Sequence, residues 1–106
     1  MDTPLEVDVT TAARLLDEGA LLLDVRESFE VEACAVAGSR HIPMRQVPES
    51  LADLPRDRLI LVFCKVGARS LRVAQFLRAS GFAQVSNVAG GIDAWAEQID
   101  PSLPRY

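Results

Sequence analysis

Short runs of apolar residues alternate along the chain with stretches in which apolar residues recur every three or four positions. The runs at residues 21–25 and 59–63 are almost entirely apolar, which is typical of strands covered on both faces of a parallel sheet. Weaker patterns predict a strand at residues 85–88, an opening edge strand at residues 6–9, and a broken strand formed by residues 36–37 and 41–42.

The spacing between these runs predicts five helices, at residues 10–19, 28–34, 47–54, 69–80 and 92–99. We expect Thr10 or Thr11 to cap the first helix and Gly19 to end it. Trp95 shares one face of the last helix with Ile92, so we expect it in the core. Strands that alternate with helices predict an α/β fold, with a mostly parallel sheet and helices on both faces. A single domain comprising residues 1–106 is expected at this length.

Composition and charge argue against several classes of protein and of site. The chain has 11 Lys and Arg against 15 Asp and Glu, a net charge of −4, which argues against a nucleic-acid-binding surface. It has no apolar stretch of the roughly 20 residues that a membrane span requires. It also lacks a signal-peptide pattern, so we expect a cytoplasmic location. The two cysteines, Cys34 and Cys64, are too few for a disulfide framework and lack the spacing of a zinc site.

One segment, residues 63–70, combines a strand end, a cysteine and the start of a helix. Ligands of parallel sheets bind beyond the carboxyl ends of strands, where helix N-termini present free N–H groups. Gly67 allows a tight path on which backbone N–H groups would converge on the sulfur of Cys64. Lys65, Arg69 and Arg72 add positive charge. Because all these features favour a thiolate, Cys64 is predicted to be nucleophilic near neutral pH.

Structural interpretations of the same residues compete with the functional ones. Free cysteine is among the most buried residue types, so Cys64 could simply close a buried strand. The coincidence of a strand end, a loop glycine and a helix-opening arginine favours the nucleophile. Arg72 and Arg78 are expected on a solvated helix face, where Arg72 would guide an acidic protein partner.

Three segments resemble the motifs of rhodanese-like sulfurtransferase domains: residues 22–27 (LLDVRE) the second-strand motif, residues 64–70 (CKVGARS) the active-site loop, and residues 87–95 (NVAGGIDAW) the closing segment. The resemblance spans residues 7–106. The tail, residues 95–106, also resembles that of rhodanese domains fused to adenylating enzymes that activate ubiquitin-like sulfur carriers. The pattern departs at residues 34–39, where the family usually has Gly-His-Ile-Pro-Gly-Ala, and residues 40–43 align with the motif that follows.

The resemblance implies a rhodanese-like sheet of about five strands and a double displacement at Cys64. The thiolate takes a sulfane sulfur from a donor such as thiosulfate or a protein persulfide, becomes a persulfide, and passes the outer sulfur to a thiophilic acceptor. The residues implied to bind the anion and the persulfide are Lys65, Val66, Gly67, Ala68 and Arg69. No metal or organic cofactor is implied. The implied partners are a small anionic sulfur donor and, as further candidates, a sulfur-carrier protein or a desulfurase.

Two other classes of function stay open. A rhodanese-fold phosphatase or arsenate reductase also uses a cysteine in an anion-binding loop closed by an arginine, but its loop carries one more residue. The loop of six residues from Cys64 to Arg69 is therefore expected to be too tight for a tetrahedral phosphate and suited to a single sulfur atom. The other class is a non-catalytic regulatory interaction module, which commonly lacks the cysteine.

Three further features of the sequence are candidates for a chemical role. His41, next to a proline turn, is interpreted as structural rather than catalytic. Cys34 could resolve the persulfide as a disulfide, but a core position is favoured. Asp24 and Arg26 flank a strand end near the predicted site, and a buried ion pair is favoured there over a role in positioning the loop.

Overall fold

The continuous apolar runs form the middle strands of a parallel sheet in the computed structural model, which describes residues 3–106. In this part of the chain the strands are β1 (Glu6–Val7), β2 (Leu21–Asp24), β3 (Arg40–His41), β4 (Ile60–Phe63) and β5 (Val85–Val88). Their order is β1-β5-β4-β2-β3, and all neighbours are parallel. All residues of β2, β4 and β5 are buried. The apolar runs of β2 and β4 predict this, whereas β5 also buries the polar Ser86 and Asn87.

Helices cover both faces of the sheet, as predicted. The helices are α1 (Val9–Asp17), α2 (Ser28–Ala33), a 3₁₀ helix (Met44–Asp53), α3 (Ala68–Ala79) and α4 (Gly91–Gln98). One face packs against α1 and α4, which contribute Val9, Ala12, Ile92 and Trp95 to its core. The other face packs against α3 and the 3₁₀ helix, through Val73, Leu77 and Val47. No helix within residues 3–106 has the length and apolar character needed to cross a membrane.

The start of α1 differs from the prediction. Asp8, rather than Thr10 or Thr11, caps the helix, because its carboxylate accepts a hydrogen bond of 2.8 Å from the Thr11 backbone N–H. Val9 therefore belongs to the helix and lies in the core with 1% of its surface exposed. The opening strand is correspondingly shorter than predicted and ends at Val7.

Two elements in the first half of the chain also differ from the prediction. Residues 36–37 form no strand, because Ser39 turns back on them: its backbone N–H and its hydroxyl both donate to the Val36 carbonyl. Within residues 36–42, the strand consists of Arg40–His41 alone, and it pairs with β2. The helix predicted at residues 47–54 begins at Met44 and has 3₁₀ geometry, with Pro48 inside it.

Arg78 is also placed differently from the prediction. Its guanidinium is partly buried and donates to the carbonyl of Val85, at 2.8 and 3.0 Å, and to that of Thr3. It therefore ties α3 to β5 instead of facing solvent. Arg72 is exposed, as predicted.

The topology brings the three family-like segments to one edge of the sheet. Asp24 at the end of β2 is in register with Phe63 at the end of β4, and Asn87 in β5 pairs with Val62. Because parallel strands end at the same edge, the segments that follow β2, β4 and β5 lie together there.

Candidate active site

Cys64 follows β4 directly and sits on the floor of a loop that leads into α3. It is only 1% exposed and contributes to the core beneath α3. Cys64 is therefore a core residue as well as the first residue of the loop, because it follows directly on the buried strand β4. Burial alone fits a structural cysteine, so the groups around the sulfur have to distinguish the two interpretations.

Those groups are hydrogen-bond donors turned toward the sulfur. The backbone N–H groups of Gly67 and Ser70 lie 3.1 and 3.4 Å from Cys64 Sγ, and the Ser70 hydroxyl lies 3.3 Å from it. Burial, the largest single effect, raises the pKa of the Cys64 thiol, but the hydrogen bonds from Ser70, Gly67 and Val66 together outweigh it and lower the pKa. The site therefore favours the thiolate.

Gly67 gives the loop its sharp turn. Its φ of 110° lies in the left-handed region, and it forms the N-cap of α3. Its carbonyl accepts hydrogen bonds from the Leu71 N–H at 3.0 Å and from the Asn87 side chain at 3.2 Å. The positive φ of Gly67 confirms that a glycine is needed at this point of the loop.

The N-terminus of α4 holds the other side of the loop. The backbone N–H groups of Ile92 and Asp93 donate to the carbonyls of Cys64 and Lys65 at 2.8 and 3.1 Å. Gly91 permits this approach, because a Cβ there would lie 2.5 Å from the Lys65 carbonyl oxygen. With the carbonyls drawn toward α4, loop N–H groups are left to face the sulfur.

In residues 3–106, three cationic side chains around the loop are each paired with a carboxylate. The pairs, with their shortest N–O distances, are Arg26 with Asp24 (2.6 Å), Arg69 with Glu30 (2.6 Å) and Lys65 with Asp93 (3.0 Å). Lys65 and Arg69 belong to the loop itself, and each side chain is already engaged by an acidic partner. Val66 and Ala68 are exposed on the outer side of the loop.

Glu30 is the most tightly held of these carboxylates near the loop. It is 5% exposed and accepts hydrogen bonds from Arg69 at 2.6 and 2.9 Å, from the Glu27 N–H at 3.0 Å and from the Tyr106 hydroxyl at 3.0 Å. The hydrogen bonds from Arg69 are the main reason that its pKa falls to about 2. Glu30 is therefore an anion throughout the neutral range.

Tyr106 links the tail of the chain to this network. Its hydroxyl accepts a hydrogen bond of 2.7 Å from Arg26 and donates to Glu30. Its ring centroid lies 4.9 Å from Lys65 Nζ. Burial is the main cause that raises the pKa of Tyr106 to about 12, so the hydroxyl remains a donor at neutral pH.

Sequence reasoning assigned no role to five residues of this site: Glu30, Ser70, Gly91, Asp93 and Tyr106. Two of them carried a local signal. Glu30 completes a capping box with Glu27 at the start of α2, and Ser70 is a polar residue on the inner face of α3, with 0% exposure. The others depend on contacts between distant parts of the chain.

The remaining candidates are structural. Asp24 and Arg26 form a fully buried ion pair, as favoured. His41 Nε2 contacts the Arg26 carbonyl at 2.7 Å. Cys34 is unoxidised and packs in the core under α1 and α4, on the face of the sheet opposite to Cys64. In the described part of the chain, no three His, Cys, Asp or Glu side chains are grouped so as to hold a metal ion.

The chain matches known proteins along most of its length. A model of the rhodanese-like domain matches residues 8–98. This chain is 41% identical over 95 residues to rhodanese-like/PpiC domain-containing protein 12, chloroplastic, of Arabidopsis thaliana. The match covers 86% of this chain and 31% of that protein. The chain is 36% identical to a sulfurtransferase of Allochromatium vinosum, covering 78% of each. It is also 36% identical to the probable adenylyltransferase/sulfurtransferase MoeZ of Mycobacterium tuberculosis, covering 86% of this chain and 24% of MoeZ.

The fold has close counterparts among solved structures. The crystal structure of reduced CoADR-RHD from Bacillus anthracis superposes with a TM-score of 0.85 at 28% identity, over 99% of this chain and 18% of that one. The chain thus spans less than a third of three of these four proteins and 78% of the Allochromatium vinosum sulfurtransferase. The match over residues 8–98 and the identity with that full-length sulfurtransferase show that the chain belongs to the family of rhodanese-like domains.

Proposed function

We propose that this chain is a sulfurtransferase in which the Cys64 thiolate carries a sulfane sulfur as a persulfide. The observation that carries the proposal is the convergence of the Gly67 N–H, the Ser70 N–H and the Ser70 hydroxyl on one buried sulfur. A purely structural cysteine needs no such donors, because a neutral thiol is a weak acceptor. Donors aimed at a sulfur stabilise negative charge on it.

The reaction consists of two displacements. In the first, the Cys64 thiolate attacks the outer sulfur of the donor, the sulfur–sulfur bond of the donor breaks, and the rest of the donor leaves with the electron pair as sulfite or a thiolate. In the second, an acceptor nucleophile attacks the outer sulfur of the Cys64 persulfide, and the Cys64 thiolate is released. Electrons balance without an external oxidant or reductant, and no histidine base is required.

The loop from Lys65 to Arg69 supports both displacements. Its backbone N–H groups hold the thiolate before the first step and receive it again after the second. Because Cys64 lies on the loop floor with 1% exposure, the donor presents its sulfur end-on, and a single sulfur atom fits more readily than a tetrahedral oxyanion. The exposed Val66 and Ala68 form the outer rim that a donor or acceptor meets first.

Donors of two kinds suit this site: thiosulfate and the persulfide of another thiol. The MoeZ relative carries adenylyltransferase and sulfurtransferase in one name, which supports a sulfur-carrier protein as an acceptor, with a desulfurase as the corresponding protein donor. The chain covers 24% of MoeZ, and we propose that it shares this partnership.

Intact mass spectrometry tests the proposal. We expect wild-type protein incubated with thiosulfate or with 2-hydroxyethyl persulfide to gain the mass of one sulfur atom, and the Cys64→Ser variant to gain none. Cys34→Ser is the matched control and should gain sulfur like wild type, because Cys34 lies on the opposite face of the sheet. Sulfur gain by Cys64→Ser, or phosphatase activity without any persulfide, would overturn the proposal.

A further inference from the structure

We infer that Glu30 determines the donor specificity of this site by neutralising Arg69. The inference rests on the proposed sulfur transfer and adds a substrate class to it. With Arg69 neutralised, the site favours donors whose charge lies only on the reacting sulfur, such as the persulfide of another thiol. It disfavours thiosulfate, whose second charge lies on a sulfonate group.

The geometry of the pair shows that Arg69 is held firmly. Its guanidinium donates to both oxygens of Glu30, at 2.6 and 2.9 Å, the bidentate arrangement that fixes both planes. The same two oxygens accept hydrogen bonds from the Glu27 N–H and the Tyr106 hydroxyl. Glu30 is only 5% exposed, so its carboxylate is enclosed together with these hydrogen-bond partners.

Charge balance around the loop extends the argument. Lys65 is paired with Asp93 as Arg69 is with Glu30, so the two cationic side chains of the loop itself contribute no net positive charge. The attraction for anions then comes from the backbone N–H groups, and these face Cys64 Sγ. When the sulfane sulfur of thiosulfate reaches Sγ, its sulfonate lies farther out from the loop floor, and the cationic side chains of the loop, Lys65 and Arg69, are both already paired. The sulfonate gains no ion pair there to replace the hydration it loses.

The Glu30→Gln variant tests this inference. Glutamine keeps the shape and an acceptor oxygen, while it removes the charge that cancels Arg69. With cyanide as acceptor, we expect kcat/KM for thiosulfate to rise about tenfold or more, the size of a new charge-assisted hydrogen bond. With 2-hydroxyethyl persulfide, kcat/KM should change by less than about threefold, because that donor has no second charge to bind.

Two further variants separate the cause from a general effect of charge. Glu30→Gln/Arg69→Gln should lose the gain with thiosulfate, because no freed arginine remains. Glu18→Gln is the matched control: it removes the same charge from an exposed Arg14–Glu18 pair on α1, at the opposite end of the sheet, and should leave both donors unaffected. A gain that persists in the double variant, or that Glu18→Gln reproduces, would overturn the inference.

The ionic-strength dependence of the wild type gives a test without any variant. Because Lys65 and Arg69 are each paired with a carboxylate, kcat/KM for thiosulfate should stay level or rise as salt increases from about 20 to about 200 mM. In Glu30→Gln it should fall. A marked fall in the wild type would overturn the inference even if the variant failed to fold. If neither donor loads Cys64, the proposed function itself fails; if both load Cys64 and only the predicted preference is missing, the inference alone fails.

Discussion

At the scale of single residues, the ionisation of Cys64 depends on two opposing effects at its sulfur atom. Burial of Cys64 opposes ionisation, and hydrogen bonds from Ser70, Gly67 and Val66 favour it and prevail. Among the groups that lower the pKa, the Ser70 hydroxyl has the largest effect. Ser70 thus donates to the sulfur of Cys64, although the spacing of cysteine, glycine and arginine predicted donors only from the loop before it.

The Ser70→Ala variant should raise the pKa of Cys64. Removing the hydroxyl withdraws a hydrogen bond from the thiolate, so the midpoint of the pH dependence of alkylation should move to higher pH and the rate at neutral pH should fall. The measurement is iodoacetamide alkylation against pH in a Cys34→Ser background, so that only Cys64 reacts. Ser80→Ala is the matched control, because the Ser80 hydroxyl binds only the Phe76 carbonyl at the far end of α3. An unchanged midpoint in Ser70→Ala would contradict the assigned role.

At the scale of elements, the active loop is shaped by the two helices that flank it. The N-cap of α3 is Gly67, and the first turn of α4 binds the loop carbonyls through the Ile92 and Asp93 N–H groups. Local sequence predicted the tight turn at Gly67, because a glycine after a strand end is typical of such a turn. It could not predict the hydrogen bonds from α4, because α4 lies beside the loop only through the pairing of β5 with β4 in the sheet.

The Gly91→Ala variant should disrupt the loop far more than a comparable change elsewhere. A Cβ at Gly91 would collide with the carbonyls of Cys64 and Lys65, so we expect a loss of about 3 kcal/mol or more in the free energy of unfolding. Gly38→Ala is the matched control. Gly38 also has a positive φ, 83°, but it has open space around it, so its loss should be about 1 kcal/mol. Urea denaturation gives both values, and equal losses would show that α4 does not press on the loop.

At the scale of the whole molecule, Arg26 joins parts of the chain that are distant in sequence. It is 0% exposed, and its guanidinium donates to Asp24 at 2.6 and 2.9 Å, to the Cys34 carbonyl at 2.7 Å and to the Tyr106 hydroxyl at 2.7 Å. Burial disfavours the charged form, but the hydrogen bonds to Asp24 and Tyr106 outweigh it and raise the pKa of Arg26. The end of β2, the end of α2 and the tail thus meet at one buried cation.

The Arg26→Met variant should destabilise the whole fold. It leaves the buried Asp24 carboxylate without a counter-charge, with only the backbone N–H of residue 26 still donating to it, so we expect a loss of about 3–5 kcal/mol in the free energy of unfolding. The double variant Asp24→Asn/Arg26→Met removes the unpaired charge and should recover part of that loss. Urea denaturation of the three proteins measures both effects. A single variant as stable as wild type, or a double variant less stable than the single one, would contradict this account of the network.

The sequence by itself determined the features that depend on neighbouring residues. Continuous apolar runs predicted β2 and β4, helical spacing predicted helices on both faces, and Gly67 predicted the tight turn between Cys64 and α3. Near-neighbour contacts can also mislead, as at the start of α1, where Asp8 competes with two threonines for the same capping role. Such errors shift a boundary by one or two residues and leave the fold unchanged.

Only the tertiary structure decided which charges at the site are cancelled. Lys65 and Arg69 look alike in sequence as cations beside a nucleophile. Their partners Asp93 and Glu30 stand 28 and 39 positions away, and the register of three parallel strands brings them to the same edge of the sheet. Coulomb attraction and hydrogen bonding act over a few ångströms of space, whereas the pattern of a sequence reports mainly on residues within one or two turns of each other. The charge that a donor meets is therefore a property of the folded chain.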